Sequence, residues 1–158
     1  MITRRPAGFL NVDLEIVSSR SLEPIVREMG KAVIVLYSGP GKGASHFLNL
    51  EDARWSNTPD AAALALCSAV ERLSARGRQL WDRARRKEFN VGCDLIDGER
   101  MVQTGLRRQT LERIVALGAT VGFTCYRGEK SGPGRAANRT QPIGSESKGA
   151  ARAAGSRR

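Results

Sequence analysis

The stretch Phe9-Leu10-Asn11-Val12-Asp13-Leu14-Glu15-Ile16-Val17 decides how the rest of the chain is read. Leu10, Val12, Leu14 and Ile16 alternate with Asn11, Asp13, Glu15 and Val17, the signature of a strand with one dry and one wet face. Successive side chains point to opposite sides, so four aliphatic residues enter a core while an amide and two carboxylates line the other surface. Any function must account for that second face.

Two further segments repeat the pattern. Glu88 to Leu95 sets Phe89, Val91, Cys93 and Leu95 against Asn90, Gly92 and Asp94, and Ala119 to Tyr126 sets Val121, Phe123 and Cys125 against Thr120, Thr124 and Tyr126. Ala32 to Tyr37 is short, β-branched and apolar on both sides, which predicts a well-covered strand. The loop Ser38 to Gly43 turns it back into a hairpin partner at Ser45 to Leu50. Helices fall between these strands. Ser21 is placed to cap a helix over Leu22 to Met29 that Gly30 ends. Thr58-Pro59-Asp60 opens a long alanine-rich helix, which Arg76-Gly77 breaks or kinks. Arg78 to Lys87 reads as a further helical segment with Leu80, Trp81 and Ala84 inward, and a last helix runs from about Arg107 to Gly118.

The order is then β-α-β-β-α-β-α-β, a split β-α-β (ferredoxin-like) arrangement with an α-β pair added. The expected class is α+β: a mainly antiparallel sheet with helices on one face and solvent on the other. A doubly wound sheet would want strands apolar on both sides.

The chain has 158 residues, 41% apolar and 27% charged, which fits one folded domain of ordinary composition. Its formal charge is +10, but residues 127–158 carry +6 of it, leaving +4 for residues 1–126. Ile143 is the only large aliphatic residue of that stretch. It cannot offset a backbone ordering cost of about 1–2 kcal/mol per residue. We therefore expect a flexible N-terminus at 1–7, one α+β domain at 8–127 and a disordered basic tail at 128–158. Cys67, Cys93 and Cys125 are odd in number and widely spaced, which points to free thiols in apolar elements and a reducing compartment. No apolar segment follows Arg4 and Arg5 as in a secretory signal, and no apolar run is long enough to span a bilayer. The expectation is a cytoplasmic protein, bacterial in style, with no membrane contact.

If the Phe9 strand is central and adjoins the Phe89 strand, Asn11, Asp13, Glu15, Asn90 and Asp94 share a face, with Thr124 and Tyr126 near. Such a surface is a solvated sheet, a contact for a partner, or an oxygen-rich site for a hard cation or acid-base work. No metal-ligand spacing supports the last, so no metal, cofactor or catalytic residue is assigned. His46, Cys93 and Asp94 would supply a nucleophile, base and orienter, but alternation turns Cys93 and Asp94 to opposite sides. The loop Gly39-Pro40-Gly41-Lys42-Gly43 lacks the spacing of a phosphate cradle and is followed by a strand where a helix N-terminus is needed. Arg83, Arg85, Arg86 and Lys87 are the densest basic run outside the tail. They read as a solvated helix face or, with the tail, as a nucleic-acid contact.

The pieces F-L-N-V-D-L-E-I at 9–16, L-W-D-R-A at 80–84, F-N-V-G at 89–92 and L-G-A-T-V-G-F-T-C-Y at 117–126 resemble short bacterial proteins of unassigned function. Their general shape is similar to small α+β proteins of immunity-like families. The resemblance spans residues 9–126 and implies no catalytic residues. The sequence thus leads to a non-enzymatic binding protein that meets a protein partner through its exposed sheet face or adjoining loops. A sequence-independent nucleic-acid binder is the alternative, and no feature of the sequence sets an oligomeric state.

Overall fold

The computed structural model describes residues 8–95 and 103–127. Among them, five strands and four helices follow in the order β1 (Phe9–Ser18), α1 (Glu23–Met29), a 3-10 turn (Gly30–Ala32), β2 (Val33–Pro40), β3 (His46–Asp52), α2 (Pro59–Glu71), α3 (Ala75–Asp82), β4 (Arg86–Leu95), α4 (Arg108–Ala116) and β5 (Thr120–Arg127). The fold is α+β with a mixed sheet of strand order β2-β3-β1-β4-β5. β1 is antiparallel to both β3 and β4, and β2 is antiparallel to β3. β5 joins β4 in parallel through the α4 crossover. The expectations for residues 1–7 and for the tail at 128–158 lie outside the described residues.

β1 is the central strand, paired with β3 on one side and β4 on the other. Val12, Leu14 and Ile16 are at most 2% exposed and meet Leu48 and Leu50 from β3 and Phe89, Val91 and Cys93 from β4. Ile25 and Met29 of α1, Ala63, Leu66, Cys67 and Val70 of α2, Trp81 of α3 and Ile114 of α4 complete one core on that side. Each fully buried Val, Leu, Ile or Phe side chain among them contributes about 1.5–3 kcal/mol. Trp81 is wholly buried and its indole N–H donates to the Leu117 carbonyl at 2.8 Å, which ties α3 to the end of α4.

Four expectations are corrected. Phe9 pairs with Cys93 and Asn11 with Gly92, so Leu10 is the extra residue of a β-bulge. Phe9 takes the buried position and Leu10 is turned half outward. Ala32 to Tyr37 is not well covered: β2 is an edge strand, and Val35, Leu36 and Tyr37 are about two-fifths exposed. Likewise Phe123 and Cys125 are exposed, since β5 is the other edge.

The fourth correction concerns the long helical region. It breaks after Glu71, where Ser74 caps α3 by accepting from the Gly77 N–H at 3.2 Å. α3 stops at Asp82, and Arg86 and Lys87 belong to β4. The Arg85 N–H already donates to the Val17 carbonyl at 2.8 Å, so the open edge of β1 captures residues whose own propensity favours helix.

Candidate functional site

The side of the sheet away from the helices is assembled by register. On β1, Asn11, Asp13, Glu15 and Val17 face it. Glu51, Asn49 and Phe47 stand opposite Asp13, Glu15 and Val17 from β3. Gly92, Asn90, Glu88 and Arg86 stand opposite Asn11, Asp13, Glu15 and Val17 from β4. Two like-charge pairs therefore lie directly across strands, Asp13 with Glu51 and Glu15 with Glu88, an arrangement that disfavours folding.

One donor residue bridges each pair. The Asn11 amide donates to Asp13 Oδ1 at 2.9 Å and also to Glu51 Oε1. Arg86 donates to Glu15 and, at 3.2 Å, to Glu88. Asn90 ties the second pair to β5 by donating to Glu15 at 3.3 Å and accepting from the Thr124 hydroxyl at 2.9 Å. A side chain at position 92 would meet the Asn11 carbonyl oxygen, so glycine there lets Asn11 lie flat across β4. Burial and then the charges of Glu51 and Glu15 push the Asp13 carboxyl up to about 6, against an opposing hydrogen bond from Asn49.

Asn11, Asp13, Glu15 and Asn90 are thus brought together. Asp94 faces the same way but lies four residues beyond Asn90, about 13 Å along the strand. Its Oδ1 is buried with no hydrogen-bond partner among the described residues, and it stands beside Tyr126. The sequence did not single out Asn49, Glu51 or Glu88 for this face, and it placed Arg86 in a basic helix face or nucleic-acid contact, whereas Arg86 lies on β4 against Glu15 and Glu88. The alternation of His46-Phe47-Leu48-Asn49-Leu50-Glu51-Asp52 carried the signal for the first two, but nothing local said that β3 lies beside β1.

The other candidate groups are dispersed. His46 pairs with Ser18 and Cys93 with Phe9, at opposite ends of β1. Arg83 and Arg85 are exposed between α3 and β4, Arg86 points into the carboxylates, and Lys87 turns to the other face, 5.7 Å above the Trp81 ring. These four cations share no single surface. Among the described residues, no three His, Cys, Asp or Glu side chains are grouped to hold a metal ion, and no helix is long and apolar enough to cross a membrane.

Among the described residues, the face presents Asp13, Glu15, Glu51 and Glu88, with Asp94 farther along β4, against the one cation Arg86, on a chain whose formal charge is +10. Compared with protein-family models, with curated proteins and with solved structures, the chain matches none of them.

Proposed function

We propose that this is a non-enzymatic binding protein whose open sheet face receives a basic surface of a protein partner. The segregation of five carboxylates onto one face of a cationic chain carries this reading. Opposite potentials steer association and fix register, and a face with two like-charge pairs held ready gains from an arriving cation. An immunity-like role, in which the acidic face blocks a cationic partner in the cytoplasm, fits this arrangement. The strand order β2-β3-β1-β4 with α1 and α2 as connections also supports the ferredoxin-like split β-α-β reading of the first four strands. The nucleic-acid alternative gains nothing from the dispersal of Arg83, Arg85, Arg86 and Lys87.

Affinity capture from host extract, full-length wild type beside an Asp13→Asn/Glu51→Gln/Glu88→Gln variant, tests the proposal. A basic protein retained by the wild type and lost from the variant, with affinity falling steeply between 50 and about 200 mM salt, is the expected outcome. Retention that ignores both the substitutions and the salt would overturn it.

A further inference from the structure

The two edges of the sheet are built differently. β2 carries a bulge at Leu36, between the pairs Val35 with Leu50 and Tyr37 with Asn49, and ends in Pro40. Both features discourage a further strand from joining. β5 has neither. Its pairing with β4 runs from Thr120 to Arg127 without a shift, it holds no proline, and it carries no charge before Arg127. Among the described residues no strand pairs with its outer side, so that row of backbone N–H and C=O groups is open to another strand.

An apolar strip runs beside this edge. Phe123 stands opposite wholly buried Val91, hence on the helix side of the sheet, yet it is 60% exposed. On α4, Val115 is 72% exposed and Leu111 40%. Arg113 donates to Glu71 and Ser68 of α2 at 2.8 and 3.0 Å. Leu111 and Val115 lie about 160° round the helix from Arg113, so they point away from α2. Because α2 packs on β1 and β3, that direction is toward the β5 edge. Leu111 is about 9 Å back along α4 from Leu117 and Phe123 about 10 Å along β5 from Thr120, so the two stand at similar height.

We propose that β5 pairs antiparallel with β5 of a second copy across a two-fold axis near Phe123, joining two sheets into one. The strip itself selects that occupant. It carries no charge, and the neighbouring Arg108 and Glu112 neutralise each other at 2.7 Å, so its own image approaches without repulsion. A strongly charged partner would find nothing there to pair with. Antiparallel pairing also sets the two α4 helices two strand spacings apart, about 10 Å, which is the distance at which helices pack. Leu111 and Val115 then meet their counterparts above the paired Phe123 rings. The chain's own C-terminal segment does not match the strip, since Ile143 is the only large aliphatic residue of positions 128–158. The pairing stands apart from the reading of the open face, but it would bring both acidic faces to the same side of the joined sheet.

Sedimentation of the full-length protein over about a hundredfold range of concentration, with amide exchange at both ends of that range, tests the pairing. A monomer–dimer equilibrium is expected, with β5 amides gaining protection as the dimer forms and β2 amides unchanged. Phe123→Glu and Val115→Glu are each expected to weaken association more than about tenfold, and Phe123→Leu to retain it. Both charged variants should keep the thermal stability of the dilute wild type, because both side chains are exposed in the monomer. A monomer at every concentration, a dimer that withstands both charged substitutions, or protection gained at β2 rather than β5 would overturn the proposal. So would loss of the dimer in Glu51→Gln/Glu88→Gln, which would put the contact on the acidic face. Tighter association in Ile143→Glu would make the C-terminal segment the occupant of the edge and overturn it as well.

Discussion

Asp13 concentrates the tension in this molecule. Its carboxyl lies half-buried opposite Glu51, and burial and that neighbour raise it from 3.8 to about 6. The folded state then holds this proton more tightly than the unfolded chain, so the contribution of Asp13 to stability falls as pH rises from about 4 to about 6 and is level above that. Asp13→Asn keeps an oxygen to accept from Asn11 and removes the charge. We expect it to raise stability by about 1–2 kcal/mol at pH 7.5, allowing for solvent screening, with the gain absent at pH 4. Urea unfolding at the two pH values checks this. The thiols differ as sharply. Burial pushes Cys67 up to about 11 and raises Cys93, whereas Cys125 is exposed. A thiol-directed alkylating reagent is expected to label Cys125 first in the native protein and the other two only on unfolding, as mass spectrometry of the digested protein would read. Alternation placed Cys125 on the inward side correctly, but only the sheet order shows that no described helix covers it.

Two helix N-termini are completed from outside, by carboxylates that no local pattern would pick. Glu28 accepts from the Ser74 N–H at 2.7 Å and from its hydroxyl at 2.8 Å at the start of α3, and Gly77 leaves room for that carboxylate. Asp60 accepts from the Arg107 N–H at 2.8 Å and from the Thr110 hydroxyl at 2.6 Å at the start of α4, beneath a wholly buried Thr110. Asp60→Ala leaves both donors without that acceptor and is expected to cost about 1–3 kcal/mol, with faster amide exchange in the first turn of α4. Thr58 capping α2, by contrast, was legible, since Thr-Pro-Asp carries its whole mechanism locally: the Thr58 hydroxyl accepts from the Ala61 N–H at 3.2 Å. The end of α3 was not legible. Arg83 to Lys87 suits a helix by propensity, and only the pairing of Arg86 with Val17 and Lys87 with Ile16 converts its end to strand.

Over the whole molecule, charge is sorted rather than merely abundant. The basic residues of the described chain lie largely off the open face, where Arg86 alone answers five carboxylates. Neutralising two of these by Glu51→Gln/Glu88→Gln removes one member of each like-charge pair. It is expected to raise stability by about 1 kcal/mol while weakening any salt-sensitive hold on a basic peptide, as paired thermal unfolding and titration would show. Opposite signs for stability and binding would mark a surface kept for contact. The sequence by itself determined that strands with one wet face would pack under helices. It also placed Asn11, Asp13 and Glu15 together and left no local catalytic or metal-ligand pattern to follow, because period and spacing are properties of neighbouring residues. Only the tertiary structure decided that β3 and β4 flank β1, that Glu51 and Glu88 meet Asp13 and Glu15, and that β5 stands at the edge of the sheet with Phe123 exposed. Strand order and register are set by which distant segments bury each other's apolar faces, and that is a balance over the whole chain.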